Sequence, residues 1–395
     1  MRLLARGLAA AVLLIVPLAV VPSASAEPTA AVPVSLHRSG RAVPGQYIIT
    51  LHRDLDPGSF ARQSKLSTLF TYSKVFRGFA ATLTAAQLNL VRTSPGVEAV
   101  EENATTSAFG TGTGTRDGAD RAVATSWGLD RIDQHTLPLD NRFTTAGDGR
   151  GATAYIVDTG IDFAHSEFGG RAVTGYDAVG DGRNGQDCNG HGTHVAGTVG
   201  GAGYGVAHQA TLVSVRVLDC SGNGTLAGVI AGFDWVAAHA QQPAVLNASL
   251  GGDASPALDQ AADKVWDSGV VPVVAAGNDS KDACRVSPAG ADDVVTVGAT
   301  DRNDQEAGFS NFGPCLSIFA PGTAIVSAKL GGGSLALDGT SMASPHVAGV
   351  ALLYKAANPA ASPEAVSAWL TEQSTKDVLT VTQDSPNRLL FTGGL

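Results

Sequence analysis

The sequence predicts an α/β fold: a mostly parallel central sheet with helices on both faces, preceded by a small α+β domain. Three observations carry this. From about residue 119 onward, short apolar β-branched runs alternate with helical segments, the pattern of parallel strands buried on both faces. A separate stretch, residues 43–102, begins and ends in strand patterns with a helical pattern between them. The composition, 44% hydrophobic and 16% charged over 395 residues, is that of a folded chain rather than a disordered one.

The elements follow in order. Arg2 and Arg6 precede an apolar run over residues 8–21, and Ala24-Ser25-Ala26 offers a cleavage site of small residues. The run is shorter than the roughly 20 residues of a membrane span. Residues 1–26 therefore read as a signal peptide, and the protein as secreted and extracellular, without a membrane partner once the signal is removed. Residues 27–42 are rich in Pro, Ala and Ser and have no period. Within 43–102, residues 46–51 alternate as a strand, Ala85–Thr93 has helical spacing, and 96–101 form a second strand. So small a unit without cysteine is marginal alone. Residues 103–118, dominated by Thr, Gly and Ala, read as a flexible, protease-accessible linker. That divides the chain into 27–118 and one large domain, 119–395. In the large domain residues 154–157, 212–218, 245–249, 270–275 and 294–297 read as buried strands. Helices are expected over 192–199, 226–239, 257–268 and 341–357. Ligands of such sheets bind at the carboxyl ends of the strands.

Three motifs lie at such positions. Asp158-Thr159-Gly160 follows the first strand. His191-Gly192-Thr193-His194-Val195-Ala196-Gly197 runs from a loop into a helix, and Gly339-Thr340-Ser341-Met342-Ala343-Ser344-Pro345-His346 opens another. Singly, each has a structural reading, the Asp as a turn residue and the Ser as a helix cap. Together they supply a nucleophile, a base and a carboxylate to orient the base. Ser341 would attack a carbonyl carbon, His191 would take its proton and pass it to the leaving group, and Asp158 would hold the imidazole in one tautomer. Ser341 at a helix start also offers a backbone N–H to a developing oxyanion, and Asn278, ending Ala275-Ala276-Gly277-Asn278, offers a side-chain amide.

From Trp127 onward the sequence resembles subtilisin-family serine proteases, most closely the proteinase K-like branch with its aqualysin-like secreted bacterial enzymes. The strings that carry this are Trp127-Gly128-Leu129-Asp130-Arg131-Ile132-Asp133, the three motifs above, Asn247-Ala248-Ser249-Leu250-Gly251-Gly252 and the Ala-Ala-Gly-Asn. Residues 43–102 are similar to the family's propeptide. The resemblance implies a secreted serine endopeptidase made as an autoprocessed preproprotein, cut somewhere in 103–126, with its own propeptide as intramolecular inhibitor and folding aid. Polypeptide substrate would lie as an added strand between Gly222, Asn223 and Gly224 on one side and Ser249, Leu250, Gly251 and Gly252 on the other. With Ala276 and Gly277, these small residues imply a roomy pocket and broad specificity with an apolar or aromatic preference. Four cysteines allow three pairings; the resemblance favours Cys188 with Cys220 and Cys284 with Cys315, each bridge stabilising by roughly 3–4 kcal/mol on the chain-entropy model. It also implies structural Ca²⁺ near Asp130, Asp133, Gln134 and Asp140. Arg142 stands at a further ligand position, and Ser317 where a second site has a carboxylate.

Other classes fit less well. His191 and His194 have a spacing open to metal, yet no His-Glu-x-x-His motif accompanies them; His194 and His346 read as packing residues, and catalysis needs no cofactor. The net charge of −10 and the lack of any Lys/Arg block argue against a nucleic-acid partner. The charge is unevenly placed: residues 27–118 hold nine basic and seven acidic residues, and 119–395 hold 15 and 29. A serine esterase or amidase, or a non-enzymatic binding protein on the same fold, are the alternatives. The protein is expected to act as a monomer.

Overall fold

A computed structural model describes residues 32–109, 126–382 and 384–395; the expected signal peptide lies outside them. The central sheet has nine strands. Across the sheet they run Ala172–Asp177, Thr211–Arg216, Thr153–Asp158, Ala244–Ala248, Val271–Ala275, Val295–Thr300, Ile318–Pro321, Arg388–Leu389 and Thr375–Lys376. Every pairing is parallel except the last. The inner strands read as continuous apolar runs because both faces are covered. Helices Leu226–His239 and Pro256–Asp267 contribute to the core on one face, and His191–Gly200 and Thr340–Ala357 to the core on the other. The chain leaves Thr153–Asp158 toward one edge of the sheet and returns beyond it toward the other. Asp158 thus ends a strand at the point where strand order reverses, where such sheets bind ligands.

Residues 36–108 form the second part. Its main strands are Ala42–Leu51, Thr68–Tyr72, Gly78–Thr82 and Val97–Ala108, with helices Pro57–Gln63 and Ala85–Thr93. It has its own small core around Ile49, Phe79 and Val100. A second set, including Ile48, Tyr72 and Phe76, joins the core of helices Leu226–His239 and Pro256–Asp267. Docking is also polar. Asp234 accepts from the backbone N–H of Ser73, Lys74 and Val75 at 2.8, 2.6 and 3.0 Å. Two orphan helix N–H groups find partners here: Ala227 N donates to Asn103 Oδ1 at 3.0 Å, and Ala257 N to Glu101 Oε2 at 3.1 Å. Burial raises the Glu101 carboxyl, and it raises that of nearby Asp259 to about 7.

The composition-based linker requires a correction. Residues 103–108 are not linker but the end of the long strand Val97–Ala108. Thr105, Thr106 and Ser107 pair antiparallel with Thr225, Gly224 and Asn223, and Ser107 and Ala108 with Gly251 and Leu250. Small polar residues give no strand pattern of their own; the hydrogen-bonding edges come from a distant part of the chain. Residues 110–125 of the expected linker lie outside the described residues.

Candidate active site

Three elements converge at the carboxyl end of the sheet. Asp158 ends its strand fully buried. His191 opens helix His191–Gly200, whose N-cap Gly190 has φ 108°, a conformation that favours glycine. Its Nδ1 lies 2.8 Å from Asp158 Oδ1. Ser341 is the second residue of helix Thr340–Ala357, again after a glycine at positive φ, Gly339 at 149°. Its Oγ donates to Ser249 O at 3.0 Å, while His191 Nε2 is buried without a partner. The aspartate and histidine are thus engaged, and the serine hydroxyl is turned to a neighbouring carbonyl.

Burial acts to lower the His191 pKa, but the charge of Asp158, its hydrogen bond, the charge of Asp187 and the Phe109 backbone outweigh it, and the value is raised. Burial instead holds His194 down to about 3 and His346 to about 4. These two stay neutral and bonded to backbone carbonyls, His194 Nε2 to Ile325 and Leu335 and His346 Nδ1 to Met342.

Asn278 ends the turn after strand Val271–Ala275. Its Oδ1 accepts from Thr340 N at 2.9 Å and Thr340 Oγ1 at 2.8 Å, so the opposite, Nδ2 end of the amide is set as the donor. Thr340 is a residue the sequence reading passed over, as is Asp187. The Asp187 carboxylate, 3% exposed, accepts from Thr159 Oγ1, Asn189 N, Gly190 N, Thr193 N and Thr193 Oγ1. It ties the turn before His191 to the residue after Asp158. Arg216, buried beside Asp158 in the sheet, bonds Thr159 O, Asp177 and Asp181. No local signal marks these three: an Asp in a Gly- and Asn-rich loop reads as a turn former.

The expected substrate-binding segments hold the strand Val97–Ala108 between them. Ala108 N donates to Gly222 O at 3.0 Å and Phe109 N to Ser249 O at 3.2 Å. The Phe109 ring lies where a side chain on Gly251 would stand. Gly252 pairs with Ser287. Ala276 O and Gly277 N bond elsewhere, to Asn311 and Thr340. Both expected disulfides are formed, Cys188–Cys220 and Cys284–Cys315, with Cα separations of 4.9 and 5.3 Å. The first bridges the approach to His191 and the approach to strand Asn223–Thr225.

Asp130 lies in the short helix Trp127–Ile132, Asp133 caps its C-terminus, and Gln134 and Asp140 follow in the loop after it. Asp130 accepts from Asp140 N and Asn141 N, and Asp133 from Thr144 N. Burial raises the pKa of both, helped by repulsion from Asp140 at Asp130 and by repulsion from Asp130 and then Asp140 at Asp133. Their oxygen-rich donor set suits Ca²⁺ in chemistry. Among the described residues no group of three or more His, Cys, Asp or Glu side chains is arranged around a metal position.

Comparison with known proteins agrees with this geometry. Residues 149–391 match the subtilase family, and residues 46–108 the peptidase inhibitor I9 family. The chain is 45% identical over 379 residues to an extracellular serine proteinase of Thermus sp. (strain Rt41A), covering 89% of this chain and 90% of the relative. It is 48% identical over 331 residues to alkaline serine exoprotease A of Vibrio alginolyticus, covering 83% of this chain and spanning 60% of that relative. A crystal structure of a cold adapted subtilisin-like serine proteinase superposes with a TM-score of 0.67 at 50% identity, covering 68% of this chain and 99% of the other. With a matched family domain over most of its length and an inhibitor domain before it, the chain belongs to the subtilase family of serine proteases.

Proposed function

We propose that this serine protease is a secreted, monomeric endopeptidase that matures by cutting its own chain after Phe109, and that it prefers an apolar or aromatic residue before the scissile bond. The observation that carries the reading is the strand ending at Ala108. It is held on both sides as a peptide substrate would be, with Phe109 N on Ser249 O and the Phe109 ring against Gly251. The Phe109 backbone also faces His191. Ser341 Oγ would leave Ser249 O, turn to His191 Nε2 and attack the Phe109 carbonyl, giving His191 its proton. The oxyanion would be met by Asn278 Nδ2 and the Ser341 N–H. Collapse, with the proton passed to the leaving amine, gives the acyl-enzyme, which water then hydrolyses. After cleavage, residues 36–109 would stay as inhibitor through the same strand. A two-sided strand slot favours polypeptides over small esters, and an acidic large domain disfavours nucleic acid.

The test is N-terminal sequencing of the first-cut product, expected to begin at Gly110. Phe109→Asp, which puts a charge against an apolar contact, should slow that cut by 10-fold or more. An unchanged rate and cut position would remove Phe109 from the reading.

For the structural metal the proposal is Ca²⁺ held by Asp130, Asp133, Gln134 and Asp140. Dialysis against EDTA should lower the unfolding midpoint, and added Ca²⁺ should restore it. A midpoint indifferent to both would end that part.

A further inference from the structure

Asn311 lies on the connection between strands Val295–Thr300 and Ile318–Pro321, far in sequence from every motif above, and it is fully buried. Its polar groups go almost entirely to the turn carrying Asn278. Its backbone N donates to Gly277 O at 2.9 Å and its Nδ2 to Ala276 O at 2.8 Å. Its Oδ1 accepts from Asp279 N at 3.0 Å and Lys281 N at 3.1 Å. The turn is thus pinned two residues before Asn278, immediately before it, immediately after it and three residues after it. Gly277, at φ 104°, has no room for a Cβ because the Asn311 amide fills that place. Two sets of bonds therefore divide the work. Thr340 fixes which way the Asn278 amide faces and takes the Gly277 N–H, and Asn311 holds the backbone on both sides of Asn278.

We propose that Asn311 is a positioning residue for the oxyanion donor, acting on the reaction through Asn278 rather than on the substrate. The chemistry favours an Asn here. The turn presents one carbonyl and two N–H groups to a single buried side chain, and a primary amide offers a donor and a two-lone-pair acceptor in one plane without charge. A carboxylate would face the Ala276 carbonyl with a lone pair, and an aliphatic residue would leave the buried Ala276 carbonyl and two partly buried N–H groups without this partner. Since an oxyanion contact strengthens only as charge develops, misplacing the donor lowers kcat and leaves KM nearly unchanged. The loss should be smaller than the 10²–10³-fold of removing such a donor, about 10-fold.

The inference rests on Asn278 being the oxyanion donor, and the experiment separates the two. The mature forms of the wild type, Asn311→Ala, Asn278→Ala and the double variant are titrated for active sites, and kcat and KM are measured on a peptide substrate. The expected result is a kcat loss of about 10-fold for Asn311→Ala at constant KM, with the double variant within about 2-fold of Asn278→Ala. A peptide aldehyde, which forms a tetrahedral adduct, should lose affinity in parallel with kcat/KM. An Asn278→Ala variant with full kcat would topple the oxyanion reading itself. A strong Asn278→Ala effect with a full further 10-fold in the double variant would overturn only the role of Asn311. Asn311→Asp, which keeps the acceptor and loses the donor, is read the same way where the Ala variant gives no mature enzyme. If Ser341→Ala precursors carrying either change fail to fold, Asn311 belongs to the fold alone and the proposal falls.

Discussion

A Ser341→Ala chain should accumulate with its propeptide uncut, and its peptidase activity should fall by roughly 10⁶-fold, the figure found for subtilisin, a member of the same family. That is about 8 kcal/mol of transition-state stabilisation. The size follows from the chemistry: the proposed nucleophile is removed, while the fold around it keeps its shape. Ser341 Oγ makes one hydrogen bond, to Ser249 O, so the cost to stability is small and the intact precursor should unfold at nearly the wild-type temperature. Mass spectrometry of the product, with sulfonyl fluoride labelling of the wild type at Ser341, checks both halves. Maturation of the variant at the wild-type rate, in a preparation free of other peptidases, would sink the assignment.

Asp158→Asn should lower kcat by about 10⁴-fold and move the acid limb of the kcat/KM profile to lower pH. Asp158 Oδ1 accepts from Thr159 N at 2.7 Å and sits 2.8 Å from His191 Nδ1. An asparagine can turn its amide N–H toward Nδ1, which forces the proton to Nε2 and removes the base that Ser341 needs. The direction of the pH shift follows from the same contact. Burial alone would lower the His191 pKa, and Asp158 leads the effects that raise it. Activity needs the neutral imidazole and is lost as pH falls through that pKa. With the negative charge gone the pKa drops, so what activity remains persists to more acidic pH. A limb that moved upward, or a loss under 10-fold, would exclude this role for Asp158.

What the sequence disclosed was whatever local chemistry determines. Helix Ala85–Thr93 matches its expected span because Thr84 and Gln87 cap each other reciprocally. Leu226–His239 matches because Thr225 caps it and a long apolar run fills it. Helix Pro57–Gln63 was overlooked although Asp56 and Pro57 are a start signal; at two turns it has too little periodicity to stand out. The strand over 103–108 was hidden for a different reason. Its hydrogen-bonding edges lie at 223–225 and 250–251, more than a hundred residues away. Asp187 and Asn311 were hidden likewise, since most of their partners are backbone groups and leave no residue-type signature. The motifs located the reacting groups; the residues that hold them in place appear only once the chain has folded.

The strand Val97–Ala108 completes an eight-stranded sheet shared by the two parts of the chain. Once it departs, the large domain is left with two facing ribbon edges and a gap one strand wide. Any visitor must present a single extended segment with both of its own edges unoccupied. A segment already paired in a sheet, or coiled in a helix, offers no such edges. Compact proteins should therefore survive contact with the mature enzyme except where a terminus or loop can peel away, and the same proteins should be degraded quickly once heat or denaturant has opened them. The gap works as a gauge of foldedness, with the enzyme's own leader as the piece that first fitted it.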